Sequence, residues 1–392
     1  MVIRKIALIF CICFFTKLNS QSPHVWLFNA EKLETVKKKK DAGEYRAYLD
    51  KLASDANQLL NMKLVSVMDK GFTPPSGSKH DYMSQAPYFW YDSSKPNGLP
   101  YMRRDGERNP EINKITDRKN IGELSEATQK LALAWYFTGN KQYATKTAQL
   151  LRHWFLAPET KMNPNLDYGQ GIPGINTGRG IGIIETSALM GIADAAGLIE
   201  SSGAWSAADQ AGLKEWYKQY LHWMLTSKNG GEEHAAKNNH GTWYYSQVTD
   251  FALFTGDMQL ATKLANEAKK IMDGQITPEG KQPLELERTN ALGYSTYNLQ
   301  AWFRLATLAS HAGVDLWDYH NASGVGIRNA LDWLMPFALG KQAFAYQQID
   351  KYNPANFNEM LRQAWHQYKS AAYKPGSDEG SASDSFAIFY YR

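Results

Sequence analysis

The sequence predicts an all-α fold, one domain of helical hairpins standing side by side and closing into an α/α toroid. Three observations carry this. From Asp117 onward, apolar residues recur at three- and four-residue spacing almost without a break, which is the period of an amphipathic helix. A hairpin is written twice, as Phe137-Thr138-Gly139-Asn140 followed by Ala144-Thr145-Lys146, and as Phe254-Thr255-Gly256-Asp257 followed by Ala261-Thr262-Lys263, offset by 117 residues in one register. Each copy reads as helix, tight turn, helix, and such units bury their inner faces only by stacking on one another. No run of alternating residues is strong enough for a central sheet. A length of 392 residues would suit two or three domains; the repeat favours a single one over residues 21–392.

The elements follow in order. Met1 to Ser20 has the layout of a secretory signal: Arg4 and Lys5, an apolar run from Ile6 to Phe15, and a polar exit. Glu31 to Met68 suggests one or two polar helices, with Lys37 to Lys40 on a solvated face. Gly71 to Asn113 holds six prolines and seven aromatic residues without helical period. An irregular segment of that length in a compact domain is usually functional, and we expect it to bind substrate. Helices are then expected over Ile121 to Phe137, Lys141 to Phe155, Gly180 to Glu200, Ala207 to Leu225, Asn239 to Phe254, Gln259 to Met272, Asn290 to Ala312, Ile327 to Phe337 and Pro354 to Tyr368. Short strands are expected near Lys341 to Tyr346 and Ser383 to Tyr391.

Composition excludes several function classes. Removing Arg4, Lys5 and Lys17 with the signal takes the 43 basic residues to 40 against 39 acidic ones, so bulk charge does not suit a nucleic-acid binder. The signal's apolar run is too short to span a membrane, and no later segment reads as long enough. Both cysteines, Cys11 and Cys13, lie in the signal, and Phe10, bulky where a small residue is expected before a lipidated cysteine, disfavours a lipoprotein. A mature chain without cysteine has no disulfide and no thiol nucleophile. Export to a periplasm or the medium, as a monomer, is the expectation. No HExxH-type pair or GxSxG elbow occurs, so neither a metal nor another cofactor is called for. Most of the 12 Trp and 22 Tyr belong in a large core, while some flat rings suit a sugar cleft.

Four constellations could carry chemistry. Asn238-Asn239-His240-Gly241-Thr242-Trp243-Tyr244 opens a helix and sets amide, imidazole and indole at its mouth; the plainer reading is an Asn cap and a packing histidine. Glu287-Arg288-Thr289-Asn290 leads into a helix with Tyr294 and Tyr297 on one face, where Arg288 could pair with a carboxylate in bidentate fashion. In the irregular segment, Tyr82, Gln85 and Trp90 precede Arg103 and Arg104, which could hold an acidic sugar chain or merely pair with Asp105 and Glu107. Last come Gln170, Arg179 and Glu185 in a glycine-rich stretch; with no strand before it, a dinucleotide site fails.

The segments APYFWYDSSKPNGLPYMRRDGERNPE, MNPNLDYGQGIPGINTGRGIGIIET and NNHGTWYYSQ resemble the alginate lyase superfamily, meaning family-5 and especially family-38 polysaccharide lyases, over about residues 75 to 340. Gly241-Thr242 stands where family 5 carries a Ser, and the family's Arg-to-Tyr spacing is one residue longer than Arg288 to Tyr294. The resemblance implies an incomplete α/α toroid of about six or seven hairpins and an acidic polysaccharide substrate, alginate or polymannuronate first. The implied reaction is β-elimination: the C5 proton of a 4-linked uronate is removed and the C4 oxygen expelled. That needs the neighbouring carboxylate neutralised by preorganised donors, a task that falls to Asn239 and Arg288. His240, an imidazole with an ordinary pKa of about 6.5, serves as donor or base. Tyr294 is the acid, and with a pKa lowered by Arg288 could serve both steps. Tyr82, Gln85, Trp90, Arg103, Arg104, Gln170, Arg179, Trp243 and Tyr297 are the subsite candidates. Two rivals remain at this stage: a glycoside hydrolase using two carboxylates such as Glu185 and Asp250, and an exported glycan-binding protein that needs neither His240 nor Tyr294.

Overall fold

The structure, a computed structural model, describes residues 22–374 and residue 389. The expected signal therefore lies outside the described residues, as does all of the expected C-terminal strand except Phe389. Two polar helices come first, α1 (Ala30–Lys38) and α2 (Gly43–Leu59). The irregular segment follows, with three short strands: β1 (Met83–Gln85), β2 (Phe89–Trp90) and β3 (Met102–Arg103). The ring then begins with α3 (Asp117–Thr138) and α4 (Lys141–Leu151). After β4 (Tyr168–Gly171) come α5 (Leu189–Ile199), α6 (Ala207–Thr226) and α7 (Lys228–His234). The chain continues through α8 (Asn239–Thr255), α9 (Met258–Gln275), α10 (Pro283–Leu286), α11 (Ala291–His311), α12 (Ile327–Ala338) and α13 (Ala355–Tyr368).

Helices α3, α5, α8 and α11 touch in sequence and form an inner layer; α4, α6, α9 and α12 pack outside them, while α2 lies on α3 and α13 on α11. This is an incomplete α/α toroid. The two copies of the written hairpin turn in the same way. Gly139 and Gly256 end their helices in the left-handed region, with φ of 73° and 87°, a conformation glycine adopts without a Cβ penalty. Asn140 and Asp257 then accept a backbone N–H of the next helix, from Gln142 and Leu260 respectively.

The expected elements hold except at Arg152–Leu156, which turns as a π-helix, at Gly180–Ala188 and at residues 341–346. Gly180 to Ala188 is a 3-10 helix leading into α5, pressed so close to β4 that a Cβ on Gly182 would come within 2.6 Å of Gly169. Residues 341–346 form no strand; Phe344 and Tyr346 turn their rings onto Phe337 and Trp333 of α12 instead. Gly180–Ser202 is, by length and hydropathy, apolar enough to cross a membrane, contrary to the sequence reading, but 78% of that apolar window is buried inside the protein. It is apolar because protein surrounds it.

Three buried ionisable side chains tie irregular chain to the ring. Asp194 on α5 accepts the backbone N–H groups of Trp26, Leu27 and Phe28 at 2.6, 3.0 and 2.7 Å. Lys70 pairs with Asp117 at 2.9 Å with both side chains fully buried. Lys70 also donates to the carbonyls of Val67 and Lys79, and Asp117 accepts from the N–H of Met83. That clamp holds the start of the irregular segment on α3.

Candidate active site

The mouth of α8 is built from beneath. Gln275, Asn298, Thr242 and Gln282 form a buried hydrogen-bonded network between α8, α9 and α11, and the Gln275 amide donates to the carbonyl of Asn238. Such networks, when satisfied, lock one geometry. Asn238 caps the helix by accepting from the N–H of His240. Asn239, 1% exposed, is gripped by Glu285 of α10, which accepts from its backbone N–H at 2.6 Å and from its side-chain amide at 2.7 Å. The imidazole Nδ1 of His240 lies 2.7 Å from Oε1 of Glu233 on α7.

Opposite this mouth, Arg288 makes a bidentate pair with Asp105 of the irregular segment, Nε to Oδ2 at 3.1 Å and Nη2 to Oδ1 at 2.8 Å. Its guanidinium carbon sits 3.7 Å from the ring centre of Tyr294, in cation–π contact. Burial works to raise the Asp105 carboxyl, but its bonds from Arg288 and Thr289 outweigh it and hold the group at about 2. The Tyr294 hydroxyl is 2.7 Å from that of Tyr88. Burial, and after it the Tyr88 hydroxyl, push the Tyr294 hydroxyl well above its ordinary value; Arg288 acts the other way and does not overcome them. The expected lowering of this tyrosine is thus corrected: the hydroxyl keeps its proton.

These groups face a cleft of about 1030 Å³. Asn239, His240, Arg288 and Tyr294 all line it, as do Arg103, Gln170, Arg179 and Tyr297 among the expected subsite residues. Gln170 occupies the left-handed region at φ 49°, a strained conformation for a residue with a Cβ. Its carbonyl and side-chain oxygens accept from Arg179 at 3.2 and 3.0 Å, and the Arg179 guanidinium lies 5.2 Å from the Phe89 ring.

Five expected subsite residues do not line the cleft. Tyr82 is wholly buried and donates to Glu185 at 2.8 Å. Trp243 is 3% exposed and packs on Tyr297, because the helix turns the indole toward α11 and leaves the His240 side to the cleft. Gln85 stands on β1 and is not among the residues lining the cleft. Trp90 donates to the carbonyl of Glu107 and carries Arg104 on its face at 5.2 Å. Arg104 is exposed and 3.8 Å from Glu107, the plain pairing that the sequence offered as its alternative. Conversely, Tyr88, Arg108 and Arg118 line the cleft and were not singled out. All three lie at or beside segments the sequence marked, yet nothing local distinguishes them: Tyr88 meets its partner 206 residues away.

The carboxylate pair of the hydrolase reading does not form. Glu185 is occupied by Tyr82 and Ser84 at 2.8 and 2.6 Å, Asp250 is fully buried with burial holding its carboxyl far above the ordinary value, and neither lines the cleft. With the geometry in place, comparison with known proteins decides the class. The sequence model of the family described as alginate lyase matches residues 66–344. The chain belongs to the alginate lyase family. It is similar, at 40% identity and a TM-score of 0.88, to the crystal structure of an alginate lyase from Bacteroides ovatus, over 94% of this chain and 99% of that one. Alginate lyase A1-III of Sphingomonas species A1, solved as a substituted form with a tetrasaccharide, is 16% identical with a TM-score of 0.61 over 92% of each chain; at that distance the likeness shows the fold alone. A search of curated proteins finds no match. The chain is a polysaccharide lyase of the alginate lyase family, and the cleft is where its four marked polar residues converge.

Proposed function

We propose that this alginate lyase family member cleaves 4-linked polyuronates of the alginate type by β-elimination, with His240 as base and Tyr294 as acid. Asn239 and Arg288 neutralise the carboxylate beside the reacting carbon. Nε2 of His240 takes the C5 proton, the C5–H electron pair becomes the C4–C5 double bond, and the C4–O bond breaks with its electrons on oxygen. The Tyr294 hydroxyl protonates that oxygen. The observation that carries the reading is Arg288 lying on the Tyr294 ring in the same cleft as Asn239 and His240. A hydroxyl pushed upward by burial is an acid throughout the ordinary assay range. Arg103, Arg108, Arg118 and Arg179 along the cleft supply local positive charge for a substrate with one carboxylate per sugar, although the chain without residues 1–20 has 40 basic against 39 acidic residues.

The test is to incubate the protein with polymannuronate, polyguluronate and glucuronan and follow the ultraviolet absorbance of the unsaturated product. Tyr294→Phe should lower kcat by about 10²–10⁴ with KM within a few-fold; full turnover by that variant sinks the acid assignment, and reducing ends without absorbance would mean hydrolysis. The same reading has residues 1–20 removed on export and the remaining chain acting as a monomer, which N-terminal sequencing and sedimentation would check.

A further inference from the structure

We propose that Glu233 is the positioning residue for His240, fixing the imidazole as the Nδ1–H tautomer so that Nε2 presents its lone pair to the cleft. The inference rests on the reading of His240 as the base and says how the fold makes it one. A neutral imidazole is a donor at one ring nitrogen and an acceptor at the other, and the tautomer follows from what the first nitrogen meets. Here Nδ1 meets Oε1 of Glu233 at 2.7 Å. An ionised carboxylate can only accept, so the proton belongs on Nδ1. Glu233 is 1% exposed, and among the described residues its side chain is hydrogen-bonded to His240. When Nε2 takes the C5 proton, the carboxylate compensates the imidazolium that forms.

The surrounding packing accounts for a geometry that flexible side chains would not hold. Helix α7 is wedged in place. Gly230 accepts the Met224 carbonyl against its Cα, where a Cβ would collide, and a Cβ on Gly180 would come within 2.7 Å of the Cβ of Glu232. The Gly180 N–H donates to Glu232 at 3.2 Å. His234 at the end of α7 is bonded to the Tyr245 hydroxyl of α8 at 2.8 Å. Gly241, directly after His240, lets the Ala236 carbonyl approach where any Cβ would clash, and this closes the turn between α7 and α8. Residues 233 and 240 are thereby set face to face across a fixed corner. The other charged groups near the pair are Glu285 of α10, Arg288, and Arg179 ahead of the 3-10 turn. Glu285 is bonded to Asn239, and the guanidiniums of Arg288 and Arg179 have no acceptor to offer, so among the described residues Glu233 is the carboxylate bonded to the ring nitrogen.

The test uses the full mature chain. Nitrogen NMR of the ¹⁵N-histidine-labelled protein reads the His240 tautomer without turnover, its signal assigned by loss in His240→Ala. Wild type should show a protonated Nδ1 and an unprotonated Nε2. Glu233→Gln, isosteric but able to offer an N–H to Nδ1, should shift the ring toward Nε2–H and lower kcat by about 10²–10⁴ with KM within about threefold, as loss of the working tautomer does in other histidine bases. Glu233→Asp, which keeps the carboxylate, should recover at least about tenfold of that loss, a rescue that separates positioning from mere structural support. Wild-type His240 protonated at Nε2, or Glu233→Gln with kcat within twofold of wild type, overturns the proposal. Full turnover by His240→Ala overturns the base assignment beneath it, and the NMR result keeps the two failures apart.

Discussion

The two walls of the cleft are built on different physics. The α8 wall presents Asn239 and His240 from a helix start, each backed by a carboxylate that is 1% exposed, Glu285 or Glu233. The irregular segment presents Tyr88, Arg103 and Arg108 from loops and two-residue strands, and its ion pairs lie nearer water: the Arg103 side chain is 58% exposed where it meets Asp105. Buried pairs hold a reacting group in one geometry and lose much when one partner is removed; exposed pairs steer a charged ligand at little cost and contribute little stability. The comparison teaches where chemistry and where recognition reside in this lyase. On the proposed reading, elimination falls to the ring, and most of the grip on the polymer to the segment laid across it.

Three substitutions on the loop side would break or sharpen that division. The largest effect is expected at Lys70, because its pair with Asp117 puts two fully buried charges at the start of the segment. Lys70→Ala leaves Asp117 buried without its partner, and urea unfolding should show a loss of about 3–5 kcal/mol. A loss below about 1 kcal/mol would mean that the segment does not depend on that clamp. Next is Tyr88→Phe, which removes the hydrogen bond from the segment to the proposed acid. It should lower kcat by roughly tenfold, about 1.4 kcal/mol, with the protein as stable as wild type. A loss equal to that of Tyr294→Phe would make the loop wall catalytic as well and end the division. The smallest effect concerns pH. Asp105 sits at about 2 when folded against about 3.9 in an unfolded chain, a depressed carboxyl. Its contribution is therefore present above about pH 4 and lost as the pH falls toward 2. Asp105→Asn should flatten the acid arm of a stability–pH curve in that window and leave the arm above pH 5 parallel to wild type; an unchanged acid arm would show that the Arg288 pair adds nothing to folding.

Legibility varied with how far apart the interacting residues lie in the chain. The nine helices expected from Ile121 onward depend on neighbours three and four residues away, and all appear, with shifts at their ends where Gly180 and Arg152 meet other elements. The Thr-Gly-Asx turns are equally local. The four central residues were marked because amide and imidazole, or Arg and Tyr, stand close together in the sequence, and the structure brings both sets to one cleft. Trp243 and Tyr82 were assigned to sugar contacts because aromatic rings suit sugars, and both went to the core. Periodicity says which residues share a helix face, not what that face meets.

What the sequence determined by itself is the helical ring, the repeated hairpin, and the Asn239-His240 and Arg288-Tyr294 segments. Each is written in short-range spacing that survives without any partner. Only the tertiary structure decided what holds those side chains in place: Glu285 is 46 residues from Asn239, Asp105 is 183 from Arg288, and Tyr88 is 206 from Tyr294. Even Glu233, seven residues before His240, reaches it only because the chain turns a corner between two helices instead of continuing one. A carboxylate's role depends on the nitrogen it faces and on the water it has lost, and both are settled when the ring closes.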